Sequence, residues 1–358
     1  MASLTKTAIT ARRIIRYTIY AIIFVIVARF VINLSISIYK RLVPPPPPKV
    51  TLTFGKLPTL PFPDQTIPED LTYTLETPDG KLPKFTDQLP VFEMPKVASS
   101  LGALESGKKI ATGLGFNPNG RPVVENVPNI YVFTKNAIPS TLTINIITKV
   151  FSISYDLNAD PTVVGGIPLV SEQAVTYIKG ALANAELLSD DLSKGTATTQ
   201  YLKLEGGKFI SAVSPSEADA VKVNLYRKEY SKDVPSVTPK YPNQSNVWFI
   251  VGNGVRGNQI IAGEYHYYSV NEESSGTYPV KTSDAAWDEL KQGKIYLANL
   301  GDNPTHSITI RKVYLAYYDP GQYSQYLQPV VAFEGDNGFA AFVTAVGQDY
   351  YGAPRESE

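Results

Sequence analysis

The stretch Gly252-Asn253-Gly254-Val255-Arg256-Gly257 matches the dinucleotide-binding pattern G-x-G-x-x-G and follows the strand-like run VWFIV. That chemistry needs a helix opening at the third glycine, with its N-terminus facing the pyrophosphate. Residues 258–270 are instead rich in glycine and aromatics and show no helical period, so the motif reads as a hairpin turn. Asp156, Asn158 and Asp160 carry the first spacings of a calcium loop. Pro161 stands where that loop needs glycine, however, and Ile167 where it needs a bidentate glutamate. They read as a polar loop between modules. The two histidines, His266 and His306, form neither an H-E-x-x-H helix nor a three-histidine zinc set. His266 lies among tyrosines in a strand, and His306 sits in the turn composition GDNPTHS. Either could act as base to a serine, but no G-x-S-x-G elbow accompanies them. Asp190-Asp191 and Glu272-Glu273 occupy polar, loop-like stretches that solvated faces explain better than acid–base work. With no cysteine in the chain, disulfides and thiolate chemistry are excluded and the commonest soft metal ligand is missing.

The residues thus assign no catalytic, cofactor-binding or metal-binding set, and the chain is expected not to be an enzyme. A hydrolase using His266 or His306 is the minor alternative. The 33 basic and 33 acidic residues cancel, so no global field favours nucleic acid, an anionic surface or an acidic substrate. Recognition has to be local. The strongest local feature is aromatic: Tyr314, Tyr317, Tyr318, Tyr323 and Tyr326 crowd one C-terminal segment, and Tyr265, Tyr267 and Tyr268 crowd another. Packing on a sheet face is one reading. The other is an aromatic binding surface, because tyrosine is favoured at interfaces. On that second reading Tyr265, Tyr267, Tyr314, Tyr317 and Tyr318 are candidate partner contacts.

These residues need elements to hold them, and the first element is apolar. Tyr17 to Tyr39, at about 1.5 Å per residue, spans roughly 34 Å, slightly more than a hydrocarbon core of about 30 Å. Arg29 is its only charge, at a cost of about 2.5–3.5 kcal/mol near the bilayer centre. The thirteen Ile, Val, Phe and Leu residues of the same stretch contribute roughly −4 to −8 kcal/mol, so insertion is favoured. Arg29 then either snorkels or faces another helix, which makes Arg29 and Asn33 candidate contacts within the membrane. Lys6, Arg12, Arg13 and Arg16 precede the span and Lys40, Arg41 and Lys49 follow it, a four-to-three bias towards a cytoplasmic N-terminus. A cleaved signal peptide, with Ser35 and Ser37 as the small pair, is the competing reading.

Pro44 to Pro48 cannot continue a helix and begin a stiff extended stretch. Beyond it, Val97, Leu101 and Leu104 lie on one face of an expected helix of about four turns that stops at Gly113 and Gly115. NIYVFTK and TLTINIITKVFSISYD follow as strands. A second helix is expected behind a Ser171 cap, with Val175, Ile178 and Leu182 inward, and strands TTQYLKL, KFISAV and AVKVNLYR come after it. TSDAAWDELKQG reads as a short helix with Trp287 and Leu290 buried, and Gly335-Asp336-Asn337-Gly338 as a hairpin loop. The expected fold class is α+β: one N-terminal transmembrane helix, a proline-rich linker, then two modules of antiparallel sheet with packed helices. The expected boundaries are 1–43 for cytoplasmic tail and anchor, 44–63 for spacer, 64–165 and 166–351 for the modules, and 352–358 for a tail.

Three features carry a family resemblance: the helix with Ala285, Trp287 and Leu290, the strand ending in Leu315 to Tyr318, and the pair Gln328-Pro329 opening the next strand. On these the second module resembles PepSY-like extracytoplasmic modules, including the YycH/YycI-type regulators of sensor kinases. The resemblance implies a single-pass, bacterial, membrane-anchored protein that performs no chemistry and binds a protein or envelope partner. It implies no catalytic residues. A self-associating structural component of the cell surface is the alternative.

Overall fold

No glycine or proline interrupts the chain from Ala2 to Leu42, and the whole of it is one helix, α1 (Ala2–Leu42). A computed structural model describes residues 2–42, 49–68, 70–123, 129–303 and 306–353, in two units, Met1–Lys49 and Val50–Glu358. Within α1 the stretch Ile14–Ile36 is 23 residues long, and none of it is buried. It is long and apolar enough to span a membrane or to act as a signal segment. Pro44 to Pro48 lie outside the described residues.

In the second unit β1 (Leu57–Pro58), β2 (Thr72–Leu75) and β3 (Gln88–Glu93) precede α2 (Ala103–Gly113). Next come β4 (Arg121–Pro122), β5 (Ile130–Lys135), β6 (Ile138–Asn145) and β7 (Phe151–Tyr155), then α3 (Ser171–Asn184) and the short α4 (Asp190–Lys194). The chain continues through β8 (Ala197–Glu205), β9 (Lys208–Ser211), β10 (Ala220–Leu225), β11 (Ser236–Val237), β12 (Val247–Gly254) and β13 (Gly257–Tyr265). It closes with β14 (Asn271–Pro279), α5 (Ser283–Lys291), β15 (Tyr296–Asn299), β16 (Ser307–Tyr318), β17 (Tyr326–Gly335), β18 (Ala340–Thr344) and β19 (Tyr351–Ala353). The protein is therefore α+β. Its largest sheet has nine strands in the order β4-β5-β6-β7-β13-β12-β10-β8-β9, every neighbouring pair antiparallel. A second, eight-stranded sheet is built on β16, β17 and β18, with β2 and β11 both added parallel to β16.

Alternation decides what each face of the nine-stranded sheet buries. Val247, Phe249 and Val251 of β12 and Val221, Val223 and Leu225 of β10 point to the face covered by α2 and α3, where they meet Ile110, Ile178 and Leu182. Ile250 and Ala220 point to the other face, against Val163 and Val164 of a 3-10 turn. In the second sheet α5 covers one face with Ala286 and Leu290, and Trp287 packs 6.1 Å from Phe333 between ring centroids.

The structure departs from the sequence expectations at four points. The boundary at 165/166 separates no sheet, because β5, β6 and β7 pair directly onto β13 in the nine-stranded sheet. Residues 50–63 are not spacer: Leu57 and Leu60 are 0 % and 4 % exposed, and β1 pairs in parallel with β19. Proline there does what an irregular edge tolerates, lying along a sheet without offering an amide donor. Helix α2 starts at Ala103, about three turns long, and leaves Leu101 fully exposed. Its inward face is Gly107, Ile110 and Ala111, and a Cβ at Gly113 would sit 2.4 Å from the Asn184 carbonyl oxygen, so glycine lets the ends of α2 and α3 touch. Ser171 is not the cap of α3. Val170 holds that place, while the Ser171 hydroxyl accepts from Thr199 Oγ1 at 2.8 Å.

Candidate binding sites where the two sheets meet

Arg227 follows β10 by two residues and is buried with 3 % exposure. A buried guanidinium needs its donors satisfied, and each of its three nitrogens has an acceptor. Nε donates to Asp319 Oδ2 at 2.6 Å, Nη1 to Asp191 Oδ2 at 2.7 Å, and Nη2 to the Tyr268 carbonyl at 2.6 Å. The guanidinium carbon also lies 4.3 Å from the centroid of the Tyr267 ring. Asp319 directly follows β16 of the second sheet, while Asp191 belongs to α4, which packs beside the first. Arg227 is thus a clamp between the sheets.

Asp191 accepts further bonds from Ser189 Oγ at 2.5 Å, Tyr230 Oη at 2.7 Å, Tyr267 Oη at 2.8 Å and its neighbour Leu192 N at 2.9 Å. Burial pushes its pKa up, but the Arg227 charge and the Ser189, Tyr230 and Tyr267 hydroxyls together outweigh that and hold it below the ordinary 3.8. The expectation of a solvated Asp190-Asp191 pair holds for Asp190, which is exposed and paired with Lys194 at 2.8 Å. It fails for Asp191.

The tyrosines at and just after the end of β13 lie beside this cluster. Tyr265 stacks on Phe151 at 5.2 Å and donates to the Leu187 carbonyl at 2.9 Å. Tyr267 is fixed by Asp191 and by the guanidinium above it, and burial, opposed by the nearby Arg227 charge, leaves its phenol pushed up to about 12. With Tyr268 these side chains line a cavity of about 350 Å³, whose rim includes Lys149, Glu186 and Ser189. Lys149 and Glu186 both have left-handed backbone, φ 62° and 57°. That conformation is uncommon away from glycine, and here it brings one cation and one anion to a single aromatic-lined opening.

The other candidate residues lie elsewhere. Tyr317 and Tyr318 are 0 % exposed. Tyr317 Oη donates to the Pro90 carbonyl at 2.8 Å, and Tyr318 Oη has no hydrogen-bond partner among the described residues. Tyr314 donates to Glu334, which also accepts from Tyr241 at 2.8 Å, and Lys312 Nζ lies 4.2 Å over the Tyr314 ring. Tyr317 and Tyr318 therefore sit in the core rather than on an aromatic surface, one in each of the two clusters that cover the faces of β16, while Tyr265 is 3 % exposed where it lines the tyrosine cavity. Arg29 and Asn33 are exposed on α1. His306 pairs through Nδ1 with exposed Asp70, whose pKa that hydrogen bond lowers.

The glycine motif forms the two-residue hairpin between β12 and β13, with Gly254 opposite Gly257. A Cβ on Gly254 would lie 2.0 Å from the Thr162 carbonyl oxygen, so its glycines admit the 3-10 turn to the sheet. Asp160 of that loop accepts from Thr162 N at 3.1 Å and from Tyr155 Oη at 2.9 Å. Neither protein-family models nor curated proteins match this chain. A crystal structure of an uncharacterised protein from Eubacterium rectale ATCC 33656 aligns with 76 % of this chain and 86 % of its own, at 13 % identity and a TM-score of 0.33. A likeness at that level specifies neither activity nor partner.

Proposed function

We propose that this protein is a single-pass membrane protein with its N-terminus in the cytoplasm, whose larger unit lies outside the cytoplasm and binds a protein or envelope partner without catalysis. The observation that carries this reading is the 23-residue apolar stretch of α1, none of it buried, on the same chain as an independently compact unit of residues 50–358. The resemblance to PepSY-like regulatory modules points the same way, and the tyrosine cavity offers a rigid place for a partner to dock. The test uses the absence of cysteine. Leu101→Cys, at a fully exposed position, is expected to react with a membrane-impermeant maleimide in intact cells, and Arg12→Cys only after lysis. The reverse pattern, or recovery of the chain in the soluble fraction, overturns the proposal.

Self-association as a surface component is the second reading. Ile210 and Val213 are 44 % and 94 % exposed on and just after β9, the outer strand of the nine-stranded sheet, and such an edge invites pairing. Sedimentation of the detergent-solubilised chain that depends on concentration, and that Val213→Lys abolishes, would favour it.

A further inference from the structure

The segment that leaves β13 serves two faces. Tyr265 and Tyr267 line the tyrosine cavity, while Glu264 and His266, one residue out of phase with them, line a second cavity of about 300 Å³ with Gln244, Asn246 and Gln322. Four of these side chains share one arrangement. Gln244 Oε1 accepts from Lys222 Nζ at 3.1 Å, Asn246 Nδ2 donates to the Asp319 carbonyl at 2.8 Å, Glu264 Oε2 accepts from Trp248 Nε1 at 3.0 Å, and Gln322 Nε2 donates to the Pro61 carbonyl at 3.2 Å. In each the second polar atom has no hydrogen-bond partner among the described residues. One arm is pinned to the fold and the other is left for a ligand, so little rotamer freedom is lost on binding.

We infer that this cavity binds a neutral saccharide unit, the kind of group an envelope polymer presents. The free arms are mixed: Asn246 Oδ1, Glu264 Oε1 and Gln322 Oε1 accept, while Gln244 Nε2 and the rim Lys240 Nζ donate. A hydroxyl both donates and accepts, so a polyhydroxylated ring satisfies both kinds at once. A small anion would face the Glu264 carboxylate, and a cation would face Lys240 with Lys222 behind it. An apolar ligand would leave every arm unpaired, which costs more than its burial returns in so polar a site. Pro239 and Pro320 supply flat apolar walls for the sugar faces, and about 300 Å³ lies at the small end of ligand pockets, the size for one or two rings. The lining residues differ from those of the tyrosine cavity, and the inference rests on the envelope-partner reading above rather than on docking at the tyrosines.

The experiment is a glycan array of neutral hexose and N-acetylhexosamine oligosaccharides probed with the detergent-solubilised full-length chain, followed by calorimetric titration of the best binder. Inorganic phosphate and spermidine serve as the anionic and cationic comparisons. The expected result is saturable binding of a neutral glycan that weakens about tenfold in Gln322→Ala and in Glu264→Gln, each removing one charge-assisted or neutral hydrogen bond. Lys203→Ala, at an exposed position on β8 that lines neither cavity, leaves it unchanged. Thermal melting of each variant separates lost contacts from lost folding, and Glu264→Gln keeps an acceptor for Trp248 Nε1, so it is the variant to rely on if Gln322→Ala unfolds. Binding of phosphate or spermidine in place of glycans overturns the proposal. So does the absence of glycan binding by the folded wild-type chain, or glycan binding indifferent to both substitutions.

Discussion

Arg227→Met tests whether the buried guanidinium is what holds the two sheets together. The Arg227 side chain is 1 % exposed and its partners Asp191 and Asp319 are each 8 % exposed, so the substitution leaves two buried carboxylates without their cation. Removing one partner of a buried ion pair costs about 3–5 kcal/mol, mainly because the survivors stay unpaired. Here the loss includes three charge-assisted hydrogen bonds and the stack on Tyr267. The upper half of that range is therefore expected. The molecule carries its own probes: Trp248 sits on β12 of the nine-stranded sheet, and Trp287 on α5 over the second sheet. Guanidinium unfolding of the detergent-solubilised chain, followed by fluorescence with either tryptophan replaced by phenylalanine, reads each sheet separately. The wild-type chain is expected to show coincident transitions. Arg227→Met is expected to lower both midpoints and to pull them apart. Adding Asp191→Asn and Asp319→Asn should restore much of the loss, since neutral side chains no longer need the cation. A loss below about 1 kcal/mol, or coincident transitions in the variant, would refute the clamp.

Acid should act on the same cluster. Asp191 is held below 3.8 in the folded state, so its contribution is complete above that value and is lost as pH falls further; melting temperatures of Asp191→Asn should lose the steep acid limb seen in the wild type. At high pH the sign reverses for the phenols. Tyr267 and Tyr226 are raised from 10.0 to about 12, so they stabilise fully below 10.0 and cease to as pH rises through about 12. Phenolate absorbance should show a group of tyrosines that ionises only with unfolding, and full titration near 10.0 in the native chain would contradict the burial described. Leu57→Ala should cost about 2–5 kcal/mol, which calorimetry would detect, whereas a residue in a free spacer would cost almost nothing. Gly254→Ala should destabilise by about 1–3 kcal/mol or more, because its Cβ would overlap the Thr162 carbonyl; a neutral outcome would mean the 3-10 turn does not press on the hairpin.

Local patterns in the sequence specify much of this fold. Alternation marks β5, β6 and β7, and the glycine-rich turns mark the β12–β13 and β17–β18 hairpins, since left-handed backbone at Gly257, Asn337 and Gly338 is what those turns require. Helix α5 is legible too, from the Trp287 and Leu290 face, and the structure adds the cap, Thr282, which accepts from Ala285 N at 3.2 Å. What escapes a linear reading is long-range. The Arg227 partners are 36, 41 and 92 residues away, and one of them, Asp191, sits in a stretch that reads as a polar loop. Asp191 looks like any loop acid until α4 turns it inward. The proline content of residues 50–63 suggests an open spacer, yet an extended segment is also what can lie across a finished sheet. Gln322 and Gln328 fasten its Pro61 and Pro58 carbonyls at 3.2 and 3.0 Å, and neither glutamine carries any sign of that in its own neighbourhood. The joining of β7 to β13 likewise depends on two segments far apart in the chain, which no window of periodicity contains.

The clamp bears on function because both cavities are built on it. Arg227 holds the Tyr268 carbonyl and covers Tyr267, which fixes the floor of the tyrosine cavity. It also holds Asp319 Oδ2, and the carbonyl of that same residue receives Asn246 Nδ2, one of the pinned arms of the second cavity. A run of direct contacts therefore goes from Tyr267 through Arg227 and Asp319 to Asn246, crossing from one sheet to the other. Contact alone is not coupling, which needs an element with two arrangements that each ligand biases differently. The buried ion cluster argues against such an element here. Its donors and acceptors are nearly all satisfied in one geometry, and any shift would strand a charge. The clamp is therefore best understood as a device for rigidity: it presents two differently shaped openings, aromatic on one face and polar on the other, without entropy lost to ordering either. Such rigidity is what the proposed partner-binding module would require.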